Sequence, residues 1–429
     1  MSTELASAPS AGHSLVDSSN SEAQPPAIMP TRRESRLTVR QLQERAQVLA
    51  DELGKGAAER DLNGTLPFEA FQLVRKFGLG TIRVPERLGG PGGTIVDEIE
   101  MLETLATGDS NVAHALRPHF NFCETLFLGS DLSEQKLRTQ QILEGKLFGG
   151  ASTDHGTPKP GMLETSLVRD GESFRLNGHK YYTTGTPFSD LFYTSALTES
   201  GGVARIVLPL DRAGVEVLND WDGMGQRLTG SGGIRFNNVE VFEHEVSVST
   251  KRSIGPAGRQ ASTLRQLILM ACQAGSARAL LAEAVAYGQT TRPINYSHAD
   301  TARDDYFVQR EVGKIAAFSY AIDALIGQAA RALDHSAAAI LAEDPEIDRL
   351  LTENAIAQAK AQIVLAPLAL EAAEAIFNVG GGSATSRKRN FDRHWRNIRT
   401  ISSHNPLSYK EKAVGDYLLS GTEPPGGTF

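Results

Sequence analysis

The sequence predicts an α+β protein built in three successive parts: helices, then a compact β domain, then a helical bundle. Three observations carry this. Residues 36–146 space their apolar side chains as helices do, with Gly and Pro at the breaks. Residues 147–250 switch to short β-branched and aromatic runs separated by Gly, Asn and Asp turns. From residue 251 to 429 long Ala- and Leu-rich segments return, followed by a short tail. Strands and helices never alternate, so a parallel βαβ sheet is not expected. At 429 residues the chain exceeds what one small core organises.

The elements follow in order. "LTVRQLQERAQVLADELGKGAAERD" sets Leu42, Ala46, Leu49 and Leu53 near helical spacing. "PFEAFQLVRKFGLG" opens with Pro67 and closes on Gly, the usual asymmetry of a short helix. "RVPERLGGPGG" is a turn-rich break. The run from Thr94 to Ser130 reads as two helices parted near Gly108, Asp109 and Ser110. "LSEQKLRTQQILEG" is a further helix, with Ser133 as its expected N-cap. "SFRLNGHKYYTTG", "LFYTSALTE", "ARIVLPL" and "IRFNNVEVF" are the strands of the β domain. The long segments after residue 258 carry enough Ala for close helix packing, as in an antiparallel bundle.

Composition narrows the function. The net charge of −8 disfavours nucleic acid and anionic membranes, which call for a basic surface. Cys123 and Cys272 are the two cysteines, too few for a disulfide framework or a CxxC metal site. No apolar run is expected to reach membrane-spanning length. Residues 1–35 are Ser-, Ala- and Pro-rich without an apolar stretch, and read as a disordered tail rather than a signal peptide. The expectation is a cytoplasmic protein without nucleic-acid or membrane partners.

Several stretches could carry chemistry. "DWDGMGQRLTGSGGIRF" holds Trp221, Ser231 and five glycines; it reads as a flat-ligand wall or as a Gly-rich hairpin around a core Trp. "LNGHKYYTTGTPFSDLF" puts Tyr181, Tyr182, Thr183 and Thr184 at a strand end, where hydroxyls meet a ligand or merely face solvent. Gly380-Gly381-Gly382 lacks the preceding strand and the Lys of a phosphate loop, so a helix stop is the plain reading. Arg292 suits a phosphate or simply a helix end. His114 and His119 are five apart, which is not the spacing of a zinc helix, and no metal site is expected.

"GTIRVPERLGGPGG", "WDGMGQRLTGSGGIRFNNVEV" and "FDRHWRNIRTISSHNPLSYK", in that order, resemble the acyl-CoA dehydrogenase superfamily across residues 40–420. The last segment, with "RPI" upstream, is similar to its flavin-dependent monooxygenase branch, which includes dibenzothiophene monooxygenase and the sulfur-acquisition oxidoreductases. The resemblance implies a helical N-domain, a central β-barrel domain and a C-terminal four-helix bundle. It also implies a homotetramer with flavin at a subunit interface. It assigns catalytic roles to His404 and His114, places Thr184 near the reactive flavin edge, and matches Tyr182 to an aromatic of the same strand. Thr183, Trp221 and Ser231 fall in the flavin region; Ala151, Ser152 and Thr153 fall in a flavin-contacting loop running to Gly156. Arg292, Gly382 and Ser383 match the phosphate side, with Ser383 in place of an Arg. Two positions depart from the branch: Pro118 stands where an active-site Tyr is expected and Gly150 where an Asn is expected. His119 is a candidate to compensate.

A dehydrogenase of this superfamily needs a carboxylate to take the α-proton. The matching stretch here is Ser403-His404-Asn405-Pro406, without one. The resemblance therefore implies a two-component monooxygenase. Reduced FMN comes from a separate flavin reductase, O2 adds at the flavin C4a carbon, and the hydroperoxide oxygenates a small organic substrate at sulfur, nitrogen or carbon. Two other readings stay open: an FAD-dependent acyl-CoA dehydrogenase with its base elsewhere, and a non-catalytic flavin-binding paralogue, suggested by Pro118 and Gly150.

Overall fold

The computed structural model describes residues 37–159, 161–249 and 255–426. The tail expected over residues 1–35 lies outside them. Thr38 starts α1 (Val39–Gly54) with a capping box, its hydroxyl accepting the Gln41 N–H while the Gln41 side chain accepts the Thr38 N–H. α2 (Ala57–Asn63) and α3 (Phe68–Phe77) both stop on left-handed glycines, Gly64 and Gly78. α4 (Ile95–Ala115) opens on a Thr94/Asp97 box, and the Asp334 carboxylate adds acceptors for the Ile95 and Val96 N–H groups at 2.6 and 3.1 Å. α5 (Arg117–Phe127) and α6 (Leu132–Leu143) complete the helical region. Asp131, not Ser133, caps α6: its carboxylate accepts the Glu134 N–H at 2.9 Å, three residues on, while Ser133 already lies within the first turn.

The break expected near Gly108–Ser110 is a kink inside α4. Asp109 has φ −159° and ψ 108°, and its carboxylate accepts the Asn111 N–H at 3.0 Å and an Arg60 N–H at 3.2 Å. The last turns of α4 are thereby re-aimed, and they carry Ser110, Asn111 and His114.

Among the described residues one nine-stranded sheet follows: β1 (Phe148–Ala151), β2 (Thr153–Asp154), β3 (Ser166–Asp170), β4 (Ser173–Tyr181), β5 (Leu191–Thr198), β6 (Val203–Pro209), β7 (Val215–Val217), β8 (Ile234–Phe242) and β9 (Val246–Ser249). The path is β7-β8-β4-β3-β5-β6-β9, with β1 beside β5 and β2 on β4. β1 and β3 run parallel to β5, and the other pairs are antiparallel. Alternation buries Ile234, Phe236, Val239 and Val241 of β8 on one face. The step from Phe236 to Val239 is a bulge at Asn238, whose φ is +52°, opposite the register shift between Leu176 and Gly178.

α7 (Pro256–Thr290), α8 (Tyr306–Leu341) and α9 (Ile347–Gly380) pack pairwise on one another; α10 (Asp392–Ser402) lies on α7 and α9, and α11 (Leu407–Ser420) on α9. α4 runs along α7 and joins the first helical region to the bundle. The segments 256–290 and 347–385 are long and apolar enough to cross a membrane by length and composition. Here their apolar side chains build the bundle core, with Leu264, Leu267, Ile268, Leu365 and Ile376 fully buried.

α4 meets α7 so closely at Gly275 that a Cβ there would sit 2.4 Å from the Ala106 Cβ and 2.5 Å from the Glu103 carbonyl oxygen. Gly275→Ala should therefore destabilise the fold by about 1–3 kcal/mol through overpacking. The check is the urea midpoint, which should fall with an unchanged slope.

Candidate active site

The kink in α4 delivers His114 to Gln226, in the loop between β7 and β8. Gln226 has φ +50° and uses every polar group it has. Its N–H donates to Asn397 Oδ1 at 2.6 Å, and its carbonyl accepts the Trp221 indole N–H and the Thr229 hydroxyl, each at 2.8 Å. Its Nε2 donates to Ser110 Oγ at 3.0 Å, leaving Oε1 to accept from His114 Nδ1 at 2.9 Å. That assignment fixes the tautomer. The His114 proton sits on Nδ1, and Nε2 is a buried lone pair with no hydrogen-bond partner. Burial, then Arg117, push the His114 pKa well below its ordinary value, so the ring is neutral.

His404 approaches from the turn between α10 and α11. Arg117 Nη1 donates to its Nε2 at 3.2 Å, so Nδ1 carries the proton and donates to Asn405 Oδ1 at 2.8 Å. His404 is exposed, yet many protein atoms crowd its ring. Desolvation first, then Arg117, hold its pKa far below the usual imidazole value. The site thus presents two neutral imidazoles with Arg117 acting on both.

The β domain contributes a line of hydroxyls. Thr184 Oγ1 lies 2.7 Å from Ser231 Oγ, which lies 2.7 Å from Thr229 Oγ1, which donates to the Gln226 carbonyl. The last bond uses the Thr229 proton, so Ser231 donates to Thr229 and Thr184 donates to Ser231. Thr184 therefore keeps its lone pairs for another donor. Thr183 is fastened to the Gly232 carbonyl by both its N–H (3.1 Å) and its hydroxyl (2.8 Å). Tyr182 takes a left-handed φ of +59°, is exposed, and meets the Trp221 ring edge-on at 6.2 Å. Tyr182 and Gln226 thus bring two strained backbone positions to this site.

The glycines of this loop serve the protein's own packing. A Cβ on Gly225 would lie 2.0 Å from the Arg396 carbonyl oxygen, and one on Gly223 would lie 2.3 Å from the Trp221 ring. The hairpin reading of the loop thus accounts for its glycines.

Not every sequence candidate joins this cluster. Ala151 is buried at the end of β1, its carbonyl accepting the Thr194 hydroxyl at 2.6 Å; Ser152 and Thr153 are exposed beyond it. His119 is a satisfied core histidine: Nε2 donates to the Gly80 carbonyl at 2.8 Å and Nδ1 accepts the Phe148 N–H at 3.2 Å. It has no nitrogen left to replace the group lost at Pro118. Arg292 is exposed beyond α7, and Ser383 bonds Tyr287 Oη at 2.7 Å beside the open Gly382. Among the described residues no hydrogen bond, ion pair or ring contact links Arg292, Gly382 or Ser383 to the histidine–threonine cluster. A cavity of ≈ 530 Å³ between Lys55, Glu283 and Arg389 shares no lining residue with that cluster either.

Sequence reasoning missed Gln226, Ser110, Asn397, Arg117 and Tyr193. Gln226 and Asn397 stood inside quoted motifs but carried no spacing signal. Tyr193 could have been sought at Gly150: a Cβ there would lie 2.8 Å from the phenol oxygen, so the missing side chain and the Tyr are one packing solution.

Comparison with known proteins gives a consistent picture. Three family models match in order: acyl-CoA dehydrogenase N-terminal domain over residues 38–139, middle domain over 148–239, and C-terminal domain over 267–409. A Pseudomonas putida protein named probable FMNH2-dependent monooxygenase SfnC is 28% identical, covering 88% of this chain and 95% of its own. The FMN-bound structure of TdsC from Paenibacillus sp. A11-2, a dibenzothiophene monooxygenase, superposes with TM-score 0.82 at 25% identity, covering 90% of this chain and 99% of that one. Methanesulfinate monooxygenase MsuC from Pseudomonas fluorescens gives TM-score 0.81 at 28% identity, covering 90% and 98%.

Burial pushes the His119 pKa down to about 4. Its neutral form is built into the fold, so its stabilisation is complete above about pH 6.5 and is lost as the pH falls toward 4. Urea midpoints measured across that window should fall by the equivalent of up to about 3 kcal/mol from this residue alone. In His119→Asn the slope across the same window should be shallower.

Proposed function

The chain belongs to the flavin-dependent monooxygenase branch of the acyl-CoA dehydrogenase superfamily and is an FMN-using oxidoreductase, and from that premise we propose a two-component enzyme that oxygenates a small organic substrate at sulfur, nitrogen or carbon. A separate reductase supplies FMNH2. In the overall balance, substrate, O2 and FMNH2 give the oxygenated product, FMN and water. Bound FMNH2 supplies the two electrons of that balance, with oxygen activated at the C4a carbon.

The observation that carries the proposal is the pair of neutral imidazoles flanking Arg117, with tautomers fixed by Gln226 and Asn405. The buried, partnerless Nε2 of His114 is an acceptor awaiting a donor. Thr184, whose proton is committed to Ser231, is likewise an acceptor. That suits the N5–H of reduced flavin better than the bare N5 of the oxidised form. His114 and His404 accept or return the proton that the departing oxygen needs. Tyr182 and Trp221 flank the flavin, Thr183 fixes the strand end, and the segment from Ala151 to Thr153 borders it.

A dehydrogenase with its base at this position would have a carboxylate where this chain has Asn405, and that side chain accepts the His404 proton instead. The paralogue reading is weakened at Gly150, because the Tyr193 phenol fills the space and restores a donor. Arg292, Gly382 and Ser383 stand apart from the cluster, and we assign them to the FMN phosphate of a second copy in a homotetramer.

The first test mixes protein and FMNH2 anaerobically, then adds oxygenated buffer in a stopped-flow spectrometer. The flavin should oxidise on a protein-dependent course distinct from free FMNH2, and His404→Ala should lower product formed per O2 at least 10-fold while raising H2O2. Oxidation indistinguishable from free solution, together with bleaching of retained FAD by an acyl-CoA, would move the chain to the dehydrogenase reading. Thr184→Val supplies a binding check: the preference for FMNH2 over FMN should shrink roughly 10-fold with the loss of one acceptor.

A further inference from the structure

The cavity of ≈ 530 Å³ that lies apart from the histidines has no part in the proposed oxygenation. Its walls come from the α1–α2 region through Gly54, Lys55 and Ala58, from α7 through Glu283, and from the segment between α9 and α10. These walls are fastened to one another. Asn390 is buried with a φ of +50°, and its Nδ2 donates to the Ala58 carbonyl at 3.1 Å and to Asp61 Oδ2 at 2.8 Å, which ties that segment to α2. Arg393 pairs with Glu283 and so ties α10 to α7. The Arg389 guanidinium lies over the Tyr287 ring of α7, 4.3 Å from its centroid. Tyr287 is itself buried, with its ring 5.2 Å from that of Phe391 and its Oη 2.7 Å from Ser383 Oγ. Three ties between different elements therefore set the opening.

Charge around the cavity is unbalanced. Lys55, Lys388, Arg389 and Arg393 line it, against one carboxylate, Glu283. Arg393 and His394 already lie on that carboxylate, and Lys55 pairs with Glu52 at 2.6 Å. Lys388 and Arg389 remain, and among the described residues neither side chain makes an ion pair or a hydrogen bond; nor does the Ser386 hydroxyl. Both cations are exposed, so water solvates their charge, and what they offer is donors. A guanidinium stacked by its face keeps its N–H edge for an oxyanion. Gly54, Ala58 and the buried Phe391 make the rest of the lining small or apolar. We infer that this cavity binds a phosphate monoester of about mononucleotide size, with its phosphate on Arg389, Lys388 and the Ser386 hydroxyl and its organic body toward Phe391 and Ala58. Pockets for such molecules span roughly 300–1,000 Å³ and combine apolar walls with a few placed polar groups. Inorganic phosphate alone would leave most of the ≈ 530 Å³ unfilled. None of Arg292, Gly382 and Ser383, assigned above to the FMN phosphate, lines this cavity. The inference does not depend on the monooxygenase reading.

The test is calorimetric titration of the full chain with AMP, adenosine and inorganic phosphate, each with and without excess FMN. One AMP per chain should bind whether or not FMN is present, roughly 10-fold or more tighter than adenosine and tighter than inorganic phosphate. Arg389→Gln should weaken AMP about 10-fold and Lys388→Gln several-fold, while Arg389→Lys should keep part of the affinity. Arg387→Gln removes a neighbouring exposed cation that does not line the cavity, and should leave AMP binding unchanged. All three side chains are exposed, so each variant should unfold at the wild-type urea midpoint. FMNH2 affinity should be unchanged in Arg389→Gln. No AMP binding up to about 1 mM overturns the inference. Equal affinity for AMP and adenosine overturns it by removing the phosphate contact. Equal losses in Arg387→Gln and Arg389→Gln overturn it by reducing the effect to diffuse attraction. Displacement of AMP by FMN overturns it by moving the AMP to the flavin position. Inorganic phosphate binding as tightly as AMP overturns the assignment of size, because the organic body would then make no contact.

Discussion

The site depends on the placement of one side chain, Gln226. Its left-handed backbone costs on the order of 1–2 kcal/mol. In return it faces four parts of the chain at once: the end of α4 through Ser110 and His114, α10 through Asn397, the Trp221 indole, and the hydroxyl line that ends at Thr184. All of these contacts are buried or nearly so. Removing any partner would strand a polar group at about 1–3 kcal/mol. The His114 tautomer and the Thr184 proton direction are therefore set by the same residue. Neither could be set before helices and sheet have docked.

A second polar layer seats α10. Asp61 accepts from Arg396 and Asn390, and although burial alone would raise its pKa, those partners hold it lower. Arg393 pairs with Glu283 of α7, and His394 and Arg393 beside it hold the Glu283 carboxyl below its ordinary value against its burial. His394 lies 3.2 Å from the same carboxylate, and burial, then Arg393, push the pKa of its ring below the usual imidazole value. The permanent ion pair is thus Arg393–Glu283, with His394 packed beside it. Breaking either pair would leave a buried charge alone, a far larger loss than the net value of the pair. Arg399, by contrast, is exposed and makes no such contact among the described residues. The basic run from 391 to 404 therefore divides: Arg393 and Arg396 hold the helix, and His404, carried just past its end, reaches Arg117.

The order of helices, strands and bundle was legible because each part keeps its own period over many residues. The strands "SFRLNGHKY" and "IRFNNVEVF" needed only alternation, while the bulge at Asn238 emerged only in the structure. The α4 kink was legible from Gly108-Asp109-Ser110, while the α6 cap was misplaced because Asp131 and Ser133 offer the same chemistry two residues apart. His404 and His114 came from resemblance, not from spacing. Gln226, Arg117 and Tyr193 were not legible at all. Their importance lies in which partner they meet across 72 to 287 residues of chain, and in a backbone angle that Gln does not advertise. His119 shows the reverse error: a residue type that suggests chemistry, fully consumed by two backbone groups.

The neutrality of the two histidines follows from where Arg117 lies. Burial acts first on both rings, and Arg117 then lowers both pKa values, with Arg265 and Lys410 adding to its effect on His404. Each ring therefore resists a proton at neutral pH, and the partnerless Nε2 of His114 stays a hydrogen-bond acceptor. The guanidinium that donates to His404 Nε2 at 3.2 Å is thus also the charge that keeps both rings in the protonation state their tautomers require.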